Sequence, residues 1–81
     1  MGLFEWNNNE YEERQKQIEE DDARATEHYN DGMYLYNIAH YSEAKCKFNW
    51  ALEYAHDEDI IKDCKEMIDK CNECLFEIYM T

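Results

Sequence analysis

The sequence predicts an all-α protein, folded as an antiparallel three-helix bundle. Apolar residues recur at spacings of three and four along nearly the whole chain, and the apolar–polar alternation of strands is absent. The 81 residues include no proline and only two glycines, so little in the sequence would break a helix. A chain of this length forms one small domain with a modest core.

The beginning of the chain divides into two segments of different composition. Residues 1–9, MGLFEWNNN, are predicted to be irregular, because asparagine disfavours helix interiors. From residue 10 to residue 22 charged side chains fall at helical spacings, which predicts a solvated extension of the first helix or a fraying tail. The single helical domain is therefore expected to span residues 10–81.

The first helix is predicted over residues 10–38, and its packing part begins near residue 22. The stripe that would face the other helices has gaps of four, three, four and three, and consists of Ala25, Tyr29, Gly32, Tyr36 and Ala39. A glycine in a helix interior costs about 1 kcal/mol relative to alanine. We therefore expect Gly32 to permit a close approach of another helix.

The second helix is predicted over residues 42–55, with Ser42 as its N-cap. Its stripe combines small and aromatic residues: Tyr41, Ala44, Phe48, Ala51 and Ala55.

The third helix is predicted over residues 58–79, with Asp57 or Asp59 as its cap. Its stripe is Ile61, Cys64, Ile68, Cys71, Leu75 and Ile78. Both connections are short, which favours antiparallel neighbours.

Residues 25–58 resemble one tetratricopeptide repeat, a helix-turn-helix unit of 34 residues. Five residues fall at signature positions of that repeat in the correct register: Gly32, Tyr41, Ala44, Phe48 and Ala51. The resemblance implies a hairpin of two closely packed helices.

The chain departs from that repeat at several positions. His28 and Asp31 replace the usual Trp and Leu, His56 replaces the closing proline, and Glu66 stands where a second repeat would need Gly. Residues 41–53 are also similar to the second helix of MIT domains, which are three-helix domains that bind short helical segments of other proteins. Both resemblances, TPR-like and MIT-like, imply that the third helix covers the hairpin.

Composition limits the classes of partner. A net charge of −12 disfavours nucleic acid and anionic membrane surfaces, and favours a basic protein surface. The sequence has no apolar run long enough for a membrane span and no secretory signal. We therefore expect an intracellular protein, cytoplasmic or nuclear, whose four cysteines are reduced.

The expected function is a non-enzymatic adaptor or scaffold domain that binds a peptide or helix of another protein, with apolar anchors and basic flanks. The tetratricopeptide resemblance implies that the binding surface is lined by Tyr29, Met33, Tyr36 and Asn37. The alternative for Tyr29 and Tyr36 is that they face the third helix.

Two aromatic residues that lie off the stripes are further candidates for partner binding. Trp50 lies about 145° from the centre of the second stripe, and Phe76 is off the third stripe. An exposed Trp is a typical interface anchor, although the segment LFEW of residues 3–6 could cover it. The alternative function is a self-associating domain, a homodimer held by Trp50, Phe76 and the N-terminal aromatics.

Catalysis, a metal and a cofactor are not expected. The sequence contains no glycine-rich phosphate loop, nucleophile elbow or HExxH motif. Cys64 and Cys71 are seven residues apart on one helix, about 10 Å along its axis, too far apart for one zinc ion. The cysteines are interpreted as small apolar core residues.

Overall fold

The computed structural model describes the backbone of residues 2–80 and the side chains of residues 12–80. It contains three helices, α1 (Gly2–Asn37), α2 (Tyr41–Tyr54) and α3 (Glu58–Met80), and no strand among the described residues. The prediction of an all-α helical bundle is confirmed. The molecule is elongated, with extents of 68 × 16 × 14 Å, because the first half of α1 extends beyond the other two helices.

Helix α1 begins earlier than predicted. Residues 2–9, expected to be irregular, form its first turns, whereas Met1 lies outside the described residues. Three asparagines cost only a few tenths of a kcal/mol each in a helix, and no proline or glycine separates them from the charged turns that follow. Once a helix has nucleated, each added residue gains a hydrogen bond, so weak helix formers can be included.

The close approach expected at Gly32 occurs between α1 and α2. Ala44, Phe48 and Ala51 are fully buried on α2, as predicted. The Phe48 ring lies directly over Gly32, in the space that a β-carbon would otherwise occupy. The ring also contacts Tyr29, with 5.6 Å between the ring centroids. The missing side chain of Gly32 therefore makes room for the largest residue of the core.

The turn between α1 and α2 is closed by two backbone hydrogen bonds. Ala39 N–H donates to the carbonyl of Tyr36, and His40 N–H donates to the carbonyl of Leu35. This is the Schellman pattern, and Ala39 takes its left-handed position with φ of 65°. Ala39, predicted to lie on the α1 stripe, is consequently an exposed turn residue.

The prediction that Ser42 is the N-cap of α2 is wrong. The helix begins at Tyr41, and its N-cap is His40, which makes no side-chain capping bond. The Schellman turn ends at His40, and α2 starts with the next residue. His40 therefore occupies the N-cap position, and Ser42 lies inside the helix.

The cap of α3 is Asp57, one of the two predicted residues. Its carboxylate accepts hydrogen bonds from the N–H groups of Asp59 at 2.8 Å and Ile60 at 3.4 Å. Cys64, Met67 and Cys71 form the buried face of α3. No helix within residues 2–80 has the length and apolarity that crossing a membrane would need.

Candidate functional site: the groove between α1 and α3

A groove of about 240 Å³ runs between α1 and α3. Helix α1 contributes Thr26, Tyr29 and Asn30, which share one face because they are three and four residues apart. Helix α3 contributes Ile60 and Asp63 from its first turns. Thr26, Asn30 and Asp63 are exposed, whereas Tyr29 and Ile60 are half-buried. The groove thus has an apolar floor with polar and acidic edges.

A set of hydrogen bonds at one end of the groove fixes the position of α3 against α1. One carboxylate oxygen of Asp22 accepts the backbone N–H groups of His56 at 2.7 Å and of Asp57 at 3.2 Å. The neighbouring Asp21 lies 3.0 Å from the imidazole Nε2 of His56. We call these contacts the Asp21–Asp22 clasp. It ties the loop between α2 and α3 to α1 directly before α3 begins.

The electrostatic environment of the groove is negative. Burial raises the pKa of the Tyr29 phenol, and the nearby carboxylates of Asp63 and Glu66 raise it further. Tyr29 is therefore a neutral hydroxyl at physiological pH. A cationic side chain entering the groove would meet the carboxylate of Asp63 and no opposing positive charge among the lining residues.

The four α1 residues expected to line a binding surface do not share one environment. Tyr29 lines the groove and also packs on the core. Tyr36 faces α3 instead, with its hydroxyl 3.9 Å from the Cys74 sulfur. Met33 is half-buried against the same core, and Asn37 is exposed where α1 ends. Of the four, only Tyr29 is in the groove.

Trp50 lies on a separate aromatic cluster between α1 and α2. Its ring meets the edge of His28, with 5.3 Å between centroids, and His28 stacks on Tyr54. Lys47 lies over the Trp50 ring at 5.2 Å, yet Trp50 remains 53% exposed. The side chains of the LFEW segment, considered as a cover for Trp50, lie outside the described residues.

The cysteines occupy different environments. Cys64 and Cys71 are fully buried, Cys74 is half-buried and Cys46 is exposed; all four are free thiols. Burial raises the pKa of both the Cys64 and the Cys71 thiol, which keeps them protonated. No group of three potential metal-ligating side chains occurs among the residues whose side chains are described.

Sequence reasoning missed both the edges of the groove and the clasp. Asp63 follows the apolar Ile60 by one helical turn, and this spacing could have marked it as a groove edge. The sequence predicts that residues 10–22, including Asp21 and Asp22, are a solvated extension of the first helix or a fraying tail, and nothing in the local pattern indicates a contact with residues 56 and 57. That contact depends on how the loop folds back onto α1.

Comparison with known proteins finds no matching family model, no matching curated protein and no matching solved structure.

Proposed function

We propose that this protein is a non-enzymatic interaction domain that binds a peptide or helix of another protein in the groove between α1 and α3. The observation that supports the proposal is the groove itself, with Tyr29 and Ile60 as its floor and Asp63 at its edge. Its volume is below the range of about 300–1,000 Å³ typical of small-molecule pockets. A groove of this size suits one or two side chains of a larger partner.

The charge of the chain supports a partner with apolar anchors and basic flanks. An apolar side chain would contact Tyr29 and Ile60, and a Lys or Arg within one turn of it would reach Asp63. With a net charge of −12 the whole surface attracts such a partner over a distance, and salt weakens that attraction. Tyr29 could also donate a hydrogen bond, since its phenol stays protonated.

The test is affinity capture with variants that change either the charge or the shape of the groove. Asp63→Arg reverses the charge at its edge, and Asn30→Trp fills it. Asp69→Arg and Asn49→Trp are matched controls, because they make the same changes at exposed positions outside the groove lining. A genuine partner is recovered by wild type and both controls. We expect both groove variants to lose it.

For a partner so identified, titration calorimetry gives the magnitude. Exchanging an attraction at an exposed site for a repulsion costs about 1–2 kcal/mol, so Asp63→Arg should weaken binding by about 5- to 30-fold. Equal recovery by wild type and both groove variants would exclude the groove as the site. If Trp50→Ala alone abolished recovery, the binding surface would be the aromatic cluster between α1 and α2.

A further inference from the structure

The last turns of α3 carry four large apolar side chains that are mostly exposed. Phe76 is 65% exposed, Ile78 59%, Tyr79 89% and Met80 71%. At 100° per residue, Phe76 and Met80 lie about 40° apart and Tyr79 lies within about 100° of both, so these three share one side of the helix, whereas Ile78 lies about 160° from Phe76. A contiguous exposed apolar patch typically marks an interaction site. We call residues 76–80 the α3 tip.

The α3 tip lies at the opposite end of the bundle from the Asp21–Asp22 clasp. Cys74 lies beside Tyr36, one residue before the end of α1. Leu75 and Ile78 line a shallow depression against Ala39 and His40 of the turn. The tip therefore continues past the point where α1 ends, and other sides of it face solvent.

Charge is distributed unevenly between the two ends. Residues 10–22 contain seven acidic and two basic side chains, whereas the tip has Glu77 as its one charged residue. More than about 20 Å of helix α1 separates its end from this acidic segment. The Debye length at physiological ionic strength is about 8 Å. Repulsion between the acidic segments of two copies that meet at their tips is thus largely screened, and carboxylates closer to the contact include Glu77 and Glu43.

The exposed area of the tip is sufficient for a weak interface. A large aromatic side chain presents about 150–250 Å² when fully accessible. Phe76, Tyr79 and Met80, which share one side of the helix and are each more than half exposed, offer about 400 Å² per copy, so two copies together would bury about 800 Å² through them. This is the size of a weak, transient contact.

We propose that the α3 tip is a self-association surface that binds the tip of a second copy in a two-fold symmetric contact. A symmetric contact requires a self-complementary patch, which an apolar tip with little charge provides. The elongated shape directs the acidic first halves of both α1 helices away from the contact. A basic partner would find little to recognise here. The proposal is independent of the groove, whose lining residues lie near the clasp.

The proposal is tested by sedimentation equilibrium of the 81-residue chain from about 10 µM to 1 mM in 0.15 M salt. We expect a monomer–dimer equilibrium with a dissociation constant on the order of 100 µM, as an interface of minimal area implies. The double variant Phe76→Ser/Tyr79→Ser should weaken association at least tenfold. Ser and these aromatic residues have similar helix propensities, and circular dichroism verifies that the helices persist.

Tyr34→Ser is the matched control, because Tyr34 is a 66% exposed tyrosine on α1. It should leave the dissociation constant unchanged. Raising the salt from 0.05 to 0.5 M should strengthen self-association by screening the repulsion between copies, whereas it should weaken binding of a basic peptide in the groove. Because salt is expected to act in opposite directions on self-association and on peptide binding, the experiment can refute one proposal without refuting the other.

Three results would overturn the tip proposal. The first is a wild-type protein that stays monomeric at 1 mM. The second is a double variant that dimerises as strongly as wild type, and the third is loss of association through Tyr34→Ser. Binding of the monomer to neutral lipid vesicles, lost in the double variant, would instead assign the tip to a lipid surface.

Discussion

The substitution Gly32→Ala tests the packing between α1 and α2 most directly. A β-carbon at this position would lie 2.7 Å from one carbon of the Phe48 ring and 2.9 Å from two others. Favourable carbon–carbon contacts are about 3.5–4.0 Å. The ring cannot simply move outward, because Phe48 is fully buried and Tyr29 lies against it.

Two effects of opposite sign determine the outcome. Replacing a helical glycine with alanine stabilises a helix by about 1 kcal/mol. Forcing an additional carbon into a packed core costs about 1–3 kcal/mol, and three overlaps with one enclosed ring place this site toward the upper end. We therefore expect Gly32→Ala to lower the free energy of unfolding by about 1–2 kcal/mol, a large part of the stability of so small a domain.

Urea unfolding followed by circular dichroism at 222 nm measures this change. With a slope of about 1 kcal/mol per molar urea, the midpoint should fall by about 1–2 M. Asp31→Ala, at the exposed neighbouring position, is the control and should leave the midpoint unchanged or slightly raised. In a Phe48→Leu background the overlap is relieved, so Gly32→Ala should be neutral or stabilising there. A higher midpoint for Gly32→Ala in the wild-type background would refute the reasoning.

Three further predictions concern the turn, the clasp and the thiols. Ala39→Gly should raise the free energy of unfolding by about 1 kcal/mol in urea titrations, because Ala39 holds a left-handed conformation; a decrease would contradict the Schellman assignment. A hydrogen bond with His56 lowers the pKa of Asp21 below its ordinary value of 3.8. The resulting stabilisation is present above that value and is lost as the pH falls below it, so Asp21→Asn should flatten the acid limb of a stability–pH curve; an unaltered limb would argue against the pair. With Ellman's reagent at pH 8, Cys46 should react quickly and the two buried thiols of α3 only at the rate of opening; uniform fast reaction would show that the core is not closed.

The helices and the α2 core could be predicted from the sequence because both depend on local spacing. Ala44, Phe48 and Ala51 are buried as their period requires. The end of α1 at Asn37 was predicted within one residue, but the left-handed turn at Ala39 was harder to predict, since the Schellman turn uses an alanine where glycine would be the usual signal. The start of α2 was misplaced for the same reason, because its position follows from that turn and not from the capping preference of Ser42.

The candidate site could be predicted only in part, because it depends on contacts between distant residues. Tyr29 was identified, yet Ile60 and Asp63 enter the groove only because the loop after α2 returns to Asp22. Local composition cannot reveal a carboxylate that accepts backbone hydrogen bonds 34 residues away. For Tyr36 the structure agrees with the stated alternative that it faces the third helix, since its hydroxyl lies 3.9 Å from the Cys74 sulfur.

The close packing at Gly32 and the groove have a common origin. Because the Phe48 ring fills the space above Gly32, α2 lies tightly against α1, and Ala44, Phe48 and Ala51 of α2 are fully buried. Helix α3 then buries Cys64, Met67 and Cys71 in two clusters that also contain buried residues of α2, whereas its direct contact with α1 is much smaller. It meets α1 through the clasp and a few side chains, so the space between them stays only partly filled. The core is formed mainly by the contacts of α2 with α1 and with α3. The groove lies between α1 and α3 because these two helices pack least against each other.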